Sequence, residues 1–410
     1  MVRNAPQHAE STDLPVASIV RAVDSAAVDW SDPVFPPRVR ARDAAMARTG
    51  YSLPVVEYAF DALFSTLRAP AIEQVIADEL GSPEVLDAFA PRQGRPPARA
   101  LPLGRVCIVS SRTTLGVAIV PAVFALCAKC DVLVKDRHDG LVASFFATLG
   151  DACAQLRERI VAKEWDGENG LQNEGPFECL VAFGTDTTLE RIAAGLPAMT
   201  RFIGYGTRAS AGYVSRAALG DERSAREIAT GAARDLLLYD GEGCLSLHAL
   251  FVERGGAVAV ARFAELLSEA VAQAAKTYPP GRYDAAGAAR VAAARDLAAF
   301  RGTASYSDTQ ASYLLSCDPP LHQPPLFLPR TLGVHGVDGP QDARAYLQRH
   351  GVRLEALAIA GQAPALLDAA RAIGVARVAR FGEMQRPALG VFHGGRPRIA
   401  EFVRWMSDQS

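Results

Sequence analysis

The stretch from Leu236 to Glu253 reads LLLYDGEGCLSLHALFVE. Two apolar segments flank a short acidic turn that carries a glycine on each side of Glu242. Glycine lets the backbone bend sharply and lets a second molecule approach, so we expect Cys244 on a turn beside main-chain N–H groups. A thiolate placed in this way attacks carbonyl carbon, and nearby donors stabilise the oxyanion. The alternative is a small buried residue, because free cysteine is among the most buried residue types.

Composition excludes several classes of protein. The 410 residues, 49% of them hydrophobic and 21% charged, indicate a globular protein of two or three domains. A net charge of −2 gives no electrostatic reason to expect nucleic acid as a partner. The start of the chain shows no secretory signal, and the most apolar stretch, residues 117–128, contains Pro121 and is too short to span a bilayer. Seven scattered cysteines favour a reducing cytoplasm, and we expect no metal site.

The first half of the chain alternates between two kinds of pattern. Short apolar runs at 106–109, 131–135, 180–183 and 201–203 predict buried strands, and the segments between them, such as 141–161, predict helices. This alternation predicts an α/β fold with a parallel sheet, in which ligands bind at the carboxyl ends of the strands.

The remaining segments are less regular. Residues 1–40 are rich in Pro, Asp and Ser, so we expect an irregular arm, and Pro91–Pro102 predicts an extended connector. In the second half we expect strands at 250–253 and 354–360 and a Pro-rich loop at 318–329. Helical patterns there cover 221–236, 257–275, 285–300, 341–350 and 363–373.

Two parts of the chain resemble one enzyme family. Gly241–Cys244 is similar to the Gly-Gln-x-Cys nucleophile turn of the aldehyde dehydrogenase superfamily. The longer Tyr239–Ser246 resembles one branch more closely, the acyl-CoA reductase family, whose founding members make fatty aldehyde in bacterial luminescence. GEMQRP at 382–387, HGGRP at 393–397 and FVRW at 402–405 resemble the C-terminal block of that branch.

The resemblance implies an aldehyde dehydrogenase-like fold, with a parallel-sheet dinucleotide-binding domain and an α/β catalytic domain. We expect an N-terminal arm over 1–40, the dinucleotide-binding domain over 41–212 and the catalytic, thioester-forming domain over 213–375. A C-terminal segment over 376–410 is expected to return to the cofactor domain or to an oligomer interface.

The cofactor strands resemble only the wider superfamily. Lys135 ends a strand similar to the one whose lysine touches the adenosine ribose, although a strand-end lysine is also a common solvated terminus. Arg137 is a cation suited to a 2′-phosphate, which favours NADPH, whereas the neighbouring Asp136 keeps NADH open. Gly184 resembles the turn that covers the pyrophosphate, where a helix N-terminus offers N–H groups. The cofactor-binding candidates are Ser110, Lys135, Arg137, Gly184, Thr185, Gly204 and Tyr205.

The catalytic candidates are Cys244, Thr113 and Glu242. Hydrolytic members of the superfamily place a water-activating glutamate about where Gly204 falls, so a thioester on Cys244 is expected to persist here. Thr113 stands where members usually place an oxyanion-holding asparagine, and a hydroxyl donates one hydrogen bond. His248 lies four residues after Cys244 as a candidate base, but superfamily cysteines are activated without a histidine, which favours a strand-surface residue.

The resemblance therefore implies NADPH-dependent reduction of an acyl thioester, from acyl-CoA or acyl-carrier protein, to an aldehyde through an S-acyl cysteine. The enzyme is expected to be a homo-oligomer or to form a complex with an acyl-donating partner. Two alternatives stay open: an acyltransferase that passes the S-acyl group to an amine or thiol, and a catalytically weak partner subunit.

Overall fold

The computed structural model describes residues 14–92, 94–111, 113–136, 140–165, 169–282, 285–310, 312–361, 367, 370–371 and 375–410. The α-helices are α1 (Val16–Ser31), α2 (Pro36–Thr49), α3 (Leu53–Phe64), α4 (Ala69–Leu80), α5 (Ile119–Cys127), α6 (Leu141–Ala152), α7 (Asn169–Glu174), α8 (Asp186–Ala194), α9 (Glu222–Leu237), α10 (Val260–Thr277), α11 (Ala285–Phe300) and α12 (Pro340–Arg349). The strands are β1 (Ala90–Arg92), β2 (Arg95–Pro102), β3 (Arg105–Val109), β4 (Asp131–Lys135), β5 (Ile160–Lys163), β6 (Cys179–Phe183), β7 (Arg201–Tyr205), β8 (Ala209–Val214), β9 (Leu247–Glu253), β10 (Ser305–Tyr306), β11 (Leu314–Cys317), β12 (Thr331–Val337), β13 (Leu354–Ala360), β14 (Arg377–Ala379) and β15 (Val403–Ser407).

The chain divides into two compact units. The first unit comprises the chain up to Ala44, Leu63–Gly206 and Pro397–Ser410, and the second comprises Ala45–Ala62 and Thr207–Arg396. Within the described ranges, no helix is long and apolar enough to cross a membrane.

The first unit contains a five-stranded sheet in the order β5-β4-β3-β6-β7, and every neighbouring pair is parallel. The expected α/β fold with a parallel sheet is confirmed, because buried apolar strands alternate with helices along this part of the chain. The prediction of one helix over 141–161 is wrong at its end. Cys153 is extended (φ −149°, ψ 101°) and stops α6, and the β-branched Ile160 and Val161 then form strand β5.

A second, antiparallel sheet in this unit has the order β1-β2-β15. Residues 91–92 and 95–102 of the expected connector are extended, but they belong to strands β1 and β2 rather than to a free connector. Strand β2 pairs with β15, with Ala100 opposite Trp405. This partner lies about 300 positions further along the chain, so the local pattern of Pro91–Pro102 carries no sign of it.

The prediction of an irregular arm is wrong for residues 16–31, which form helix α1. Its apolar residues follow a helical period, and Ile19, Val23 and Trp30 are fully buried. Pro33 lies between two helices, and Pro36 and Pro37 occupy the first turn of α2. In that turn a backbone N–H has no partner within the helix, so proline, which lacks the N–H, costs no hydrogen bond. The prolines therefore separate helices rather than exclude them.

The second unit contains a seven-stranded sheet in the order β10-β11-β12-β9-β8-β13-β14, parallel except for β10. Helices α9 and α10 share one hydrophobic cluster with the sheet, whereas α12 contributes Tyr346 and Leu347 to a separate cluster. The sequence pattern does not predict strand β8, because its sequence, ASAGYV, has no long apolar run. Strand β12 is likewise not predicted. Most of the predicted helix at 363–373 lies outside the described residues.

Candidate active site

The turn before Cys244 has an unusual backbone. Three consecutive residues are left-handed: Tyr239 (φ 55°), Asp240 (φ 51°) and Gly241 (φ 74°). Glycine adopts this conformation freely, but for the other two it costs about 1–2 kcal/mol per residue. A side chain at Gly241 would also meet the backbone nitrogen of Arg330 at 3.0 Å. The surrounding structure therefore has to hold this turn in place, a pattern that recurs at functional sites.

A buried ion pair supplies that support. The Asp240 carboxylate accepts a hydrogen bond of 2.7 Å from Nε of Arg330 and one of 3.1 Å from the Gly281 N–H, and both ionic side chains are buried. The Arg330 N–H also donates to the Asp240 carbonyl at 2.8 Å. Burial raises the pKa of Asp240, and the Arg330 guanidinium opposes that rise. Removing either partner would leave the other charge unpaired in the interior.

Cys244 itself lies in a tight turn, closed by the Ser246 N–H donating to the Gly243 carbonyl at 2.9 Å. The residue as a whole is partly exposed. Burial, reinforced by the Glu355 carboxylate, raises the pKa of the Cys244 thiol to about 12. The N–H groups of Cys244 and Leu245 favour the thiolate, and so does the Arg208 guanidinium. Main-chain donors thus lie beside the sulfur, and donors of this kind can stabilise an oxyanion. Glu242, next to this turn, is exposed.

Ser210, on β8, connects the turn to the neighbouring strand β13. Its hydroxyl donates to the Cys244 carbonyl at 2.7 Å and accepts the Ala356 N–H at 3.1 Å. One buried side chain makes both hydrogen bonds, and it therefore fixes the position of the cysteine turn relative to strand β13.

Two β-bulges lie on either side of Ser210. The pairing of β13 with β8 steps from Leu354 to Ala356, and the pairing of β9 with β8 steps from Leu247 to Ala249. Glu355 and His248 are therefore the extra residues of their strands. Bulges re-aim side chains and are common next to active sites.

Glu355 is a buried carboxylate, 4% exposed. One oxygen accepts the Gly394 N–H at 2.9 Å, and the other lies 3.5 Å from Nε of Arg208. The glycine belongs to the HGGRP part of the C-terminal block, so this block is bonded to the bulge in β13.

The expectation of a strand-surface histidine at position 248 is wrong. His248 is buried because the bulge turns it into the unit, and Nδ1 accepts the Ser210 N–H at 3.4 Å. Its ring packs against Phe327 with centroids 5.3 Å apart. Burial lowers the pKa of His248 to about 4, so the ring is neutral at physiological pH.

The GEMQRP part of the C-terminal block is anchored to the helix that precedes the turn. Asp235 on α9 is fully buried and accepts the N–H groups of Gly382 (2.6 Å) and Met384 (3.2 Å). Burial raises the pKa of Asp235 to about 7, against the pull of those two hydrogen bonds. Gln385 then donates to the hydroxyl of Ser246 at 3.0 Å, two residues beyond Cys244.

The cofactor candidates lie in the first unit. Ser110 follows β3, Lys135 ends β4, Gly184 follows β6, and Gly204 and Tyr205 end β7. Since these strands are parallel neighbours, all five residues lie at the carboxyl edge of one sheet. Ser110 and Lys135 are buried, and the Ser110 N–H donates to the Lys135 carbonyl at 3.2 Å.

Aromatic rings accompany these strand ends. The Lys135 ammonium lies over the Trp165 ring, 5.1 Å from its centroid, so the cation is held by a π face. Phe183 and Tyr205 stack across β6 and β7 with centroids 4.8 Å apart.

Thr185 is the N-cap of helix α8, and its hydroxyl accepts the Thr188 N–H at 3.3 Å. Gly184 lies just before this N-cap, and a Cβ atom built there would have no neighbour closer than 3.6 Å, so the space in front of the helix is open. An open helix N-terminus at a sheet edge suits an anionic ligand.

The other sequence candidates are placed as follows. Thr113 is exposed and belongs to the first unit. Arg137 lies outside the described residues. Asp136 is buried, and its carboxylate accepts the Val142 N–H at 3.1 Å, which secures the first turn of α6.

Four residues near the cysteine turn were missed from the sequence: Ser210, Arg208, Glu355 and Arg330. Glu355 had one available signal, because it is an acidic residue inside an otherwise apolar strand, LEALAIA. The others stand in segments whose local pattern is ordinary for strand ends or loops.

Comparison with known proteins identifies one protein family and one fold. Residues 11–405 match the family described as acyl-CoA reductase (LuxC). No curated protein sequence is significantly similar to the chain. Among solved structures, an NAD-dependent benzaldehyde dehydrogenase from Corynebacterium glutamicum is similar at 15% identity and a TM-score of 0.72, covering 98% of this chain and 87% of that one.

Two further structures show the same fold. Aldehyde dehydrogenase 21 from Physcomitrella patens, in complex with the product succinate, is 11% identical with a TM-score of 0.72 and covers 97% and 86% of the two chains. A 1-pyrroline-5-carboxylate dehydrogenase from Thermus with bound NAD is 14% identical with a TM-score of 0.67 and covers 97% and 82%. The expected aldehyde dehydrogenase-like fold is confirmed.

Proposed function

The chain belongs to the acyl-CoA reductase (LuxC) family and is an oxidoreductase, and from that membership we propose that it reduces an acyl thioester to an aldehyde through an S-acyl intermediate on Cys244. The observation that carries this proposal is the braced, left-handed turn that presents Cys244 with the N–H groups of Cys244 and Leu245 at its sulfur.

In the acyl-loading step, the sulfur of Cys244 forms a bond to the carbonyl carbon of the thioester, and the bond from that carbon to the departing sulfur breaks. The negative charge on the carbonyl oxygen is stabilised by the two main-chain N–H groups, and losing one such donor typically costs about 10²–10³ in rate. Thr113 is proposed, from the family resemblance alone, as a further donor. Glu242, the exposed acidic residue of the turn, is also proposed as part of the catalytic site.

The first unit is proposed as the dinucleotide-binding domain and the second as the thioester-forming domain. The residues of the strand-end edge fit a dinucleotide, because Gly184 leaves space at the capped N-terminus of α8 and Lys135 supplies a cation. Ser110, Thr185, Gly204 and Tyr205 complete this proposed site. When bound, the reduced nicotinamide supplies the hydride that the reduction needs.

We propose NADPH as the preferred form. The carboxylate of Asp136 is buried and accepts a hydrogen bond from the Val142 N–H, and this hydrogen bond competes with hydrogen bonds from ribose hydroxyls. Arg137 is proposed as the partner of the 2′-phosphate. Gly204 provides no side chain to activate water, so the S-acyl enzyme is expected to resist hydrolysis.

The proposed acyl donor is an acyl-CoA or an acyl-carrier protein, and the proposed compartment is a reducing cytoplasm, since all seven cysteines are free thiols. We also propose assembly as a homo-oligomer or with an acyl-donating partner.

The test uses the full chain, NADPH and a panel of acyl-CoA thioesters. Loss of reduced-cofactor absorbance together with release of free thiol is expected. Thiol release without cofactor oxidation would indicate an acyltransferase, and neither signal would indicate a partner subunit without this activity.

Intact mass after acyl-CoA alone identifies the nucleophile. We expect an acyl adduct that is lost in Cys244→Ala and kept in Cys153→Ala, a matched control at another partly exposed cysteine. An adduct that survives in Cys244→Ala would overturn the assignment.

A further inference from the structure

The GEMQRP part of the C-terminal block contains an arginine, Arg386, that has no part in the chemistry described so far. The residue before it, Gln385, is buried and donates to the Ser246 hydroxyl at 3.0 Å. Arg386 itself is exposed, and its guanidinium lies over the ring of Tyr58, 5.7 Å from the centroid. The edge of that ring meets Tyr278, with centroids 6.1 Å apart. All of these residues belong to the second unit, so the block presents a cation on a fixed aromatic support.

A second cation lies beside this support. Arg234, in the last turn of α9, is exposed. A Cβ atom built at Gly382 would lie 3.9 Å from Nη1 of Arg234, so this guanidinium lies against the first residue of the GEMQRP stretch. Burial raises the pKa of Tyr58, and both Arg386 and Arg234 oppose that rise. Two arginines from different elements therefore converge on one half-buried tyrosine.

These two arginines differ from the others around the cysteine turn. Arg330 and Arg208 are each paired with a carboxylate, and Arg377 donates to two main-chain carbonyls of the block at 2.6 Å each. Within the ranges that the structure describes, neither Arg234 nor Arg386 lies within ion-pair distance of a carboxylate. Exposed guanidinium groups of this kind suit phosphate, because their planar fork of N–H donors matches its oxygens.

The two arginines also lie near the nucleophile. Gln385 is bonded to Ser246, two residues after Cys244, and Arg386 is the next residue in the chain. The Cα atoms of Arg386 and Cys244 are therefore on the order of 10–20 Å apart. In an acyl-CoA, a pantetheine arm of comparable length separates the thioester carbon from the phosphates of the nucleotide. A donor with its thioester at Cys244 can thus reach the arginines with its phosphates.

We propose that Arg386 and Arg234 bind the phosphate groups of the nucleotide part of acyl-CoA. Binding there holds the donor by its non-reacting end, and no bond is made or broken at the arginines. The proposal rests on the proposed function, since it names part of the substrate of that reaction.

The binding test uses the full chain and adenosine 3′,5′-bisphosphate, which carries phosphates on the same nucleoside as coenzyme A. Calorimetric titration is done with NADPH in excess, so that the proposed dinucleotide site is already occupied. Arg386→Gln and Arg234→Gln should each weaken binding of the bisphosphate about 10-fold, and the double variant about 10²-fold. Arg223→Gln is the matched control, because Arg223 is an exposed arginine of the same helix that is paired with Glu227, and it should leave the affinity unchanged.

The loading test compares two donors that carry the same acyl group. Formation of the acyl adduct is followed by intact mass with acyl-CoA and with acyl-pantetheine, which lacks the nucleotide. The double variant should need about 10²-fold more acyl-CoA for half-maximal loading, whereas loading from acyl-pantetheine should stay within about twofold of the wild type. Circular dichroism confirms folding. Should Arg386→Gln not fold, Arg386→Lys should still weaken bisphosphate binding about 3-fold or more, because lysine keeps the charge but loses the fork.

The outcomes separate the two proposals. If the wild type does not bind the bisphosphate, or if the double variant binds it equally well, the phosphate site is overturned. An equal loss of loading from both donors also overturns it, because the substitutions then act on the cysteine turn through Gln385 rather than on the nucleotide. If the wild type forms no adduct with any thioester, the proposed function fails, while the bisphosphate titration still decides whether the arginines bind a phosphorylated nucleotide.

Discussion

Replacing Asp235 with asparagine should change how stability depends on pH. The folded chain holds this carboxyl with a pKa of about 7, against an ordinary value of 3.8, because the side chain is fully buried beneath the C-terminal block. A raised pKa means that the folded state binds the proton more tightly than the unfolded chain does. Asp235 therefore contributes stability below pH 4, and that contribution is lost as the pH rises towards 7.

The magnitude follows from the two pKa values. Between them the folded state holds about one more proton than the unfolded chain, so the free energy of unfolding falls by about 1.4 kcal/mol per pH unit. From pH 5 to pH 7 this amounts to about 2–3 kcal/mol. The asparagine of the variant does not titrate. It carries a pH-independent penalty of about 1–3 kcal/mol, because its amide can accept only one of the two N–H groups of Gly382 and Met384.

The measurement is urea unfolding of wild type and Asp235→Asn at half-unit steps from pH 5 to pH 7.5. Far-UV circular dichroism is the appropriate signal, because all three tryptophans, Trp30, Trp165 and Trp405, belong to the other unit. The stability advantage of the wild type should shrink steadily as the pH rises.

Asp221→Asn provides the control. Asp221 is an exposed N-cap of the same helix, its pKa is lowered by the Ser224 N–H, and asparagine caps equally well. Its difference from the wild type should stay flat over this pH range. A flat difference for Asp235→Asn as well would show that burial of this carboxyl does not set its ionisation, and the reasoning would be wrong.

Three further results are expected. Arg330→Met should lower the free energy of unfolding by about 3–5 kcal/mol, because it leaves the buried Asp240 carboxylate without its cation. The control Arg254→Met removes a half-exposed ion pair and should lower it by less than about 1 kcal/mol. Equal losses in urea titrations of the two variants would contradict this expectation. Ser210→Ala should cost about 1–3 kcal/mol by leaving a buried N–H unpaired, and should slow acyl loading; wild-type values for both would refute its positioning role. Cys244 should react with iodoacetamide about 10²-fold more slowly than free cysteine at pH 8. Its alkylation rate should rise about tenfold with each pH unit up to pH 10, because the thiolate fraction rises in the same proportion. A rate equal to that of the unfolded chain would exclude the raised pKa.

The sequence alone was sufficient for features that depend on neighbours along the chain. Buried strands such as 131–135 and the helices between them follow from short apolar runs and their periods. The turn at Cys244 was visible because Gly241 marks a backbone that must bend, and that residue is left-handed in the structure. Both features depend only on residues that are close in the sequence, so they can be predicted from the sequence without knowing the fold.

The tertiary structure decided what surrounds the cysteine. Arg330 braces the turn from 90 positions away, and a one-residue bulge at Glu355 changes the register of β13 against β8. Strand β2 likewise finds its partner β15 only at the far end of the chain. Register and long-range pairing are set by how whole strands pack, and a one-residue shift reverses which side chains face the site. For that reason Cys244 could be singled out from its own neighbours, whereas the residues that pack around its turn could be identified only after the sheet was assembled.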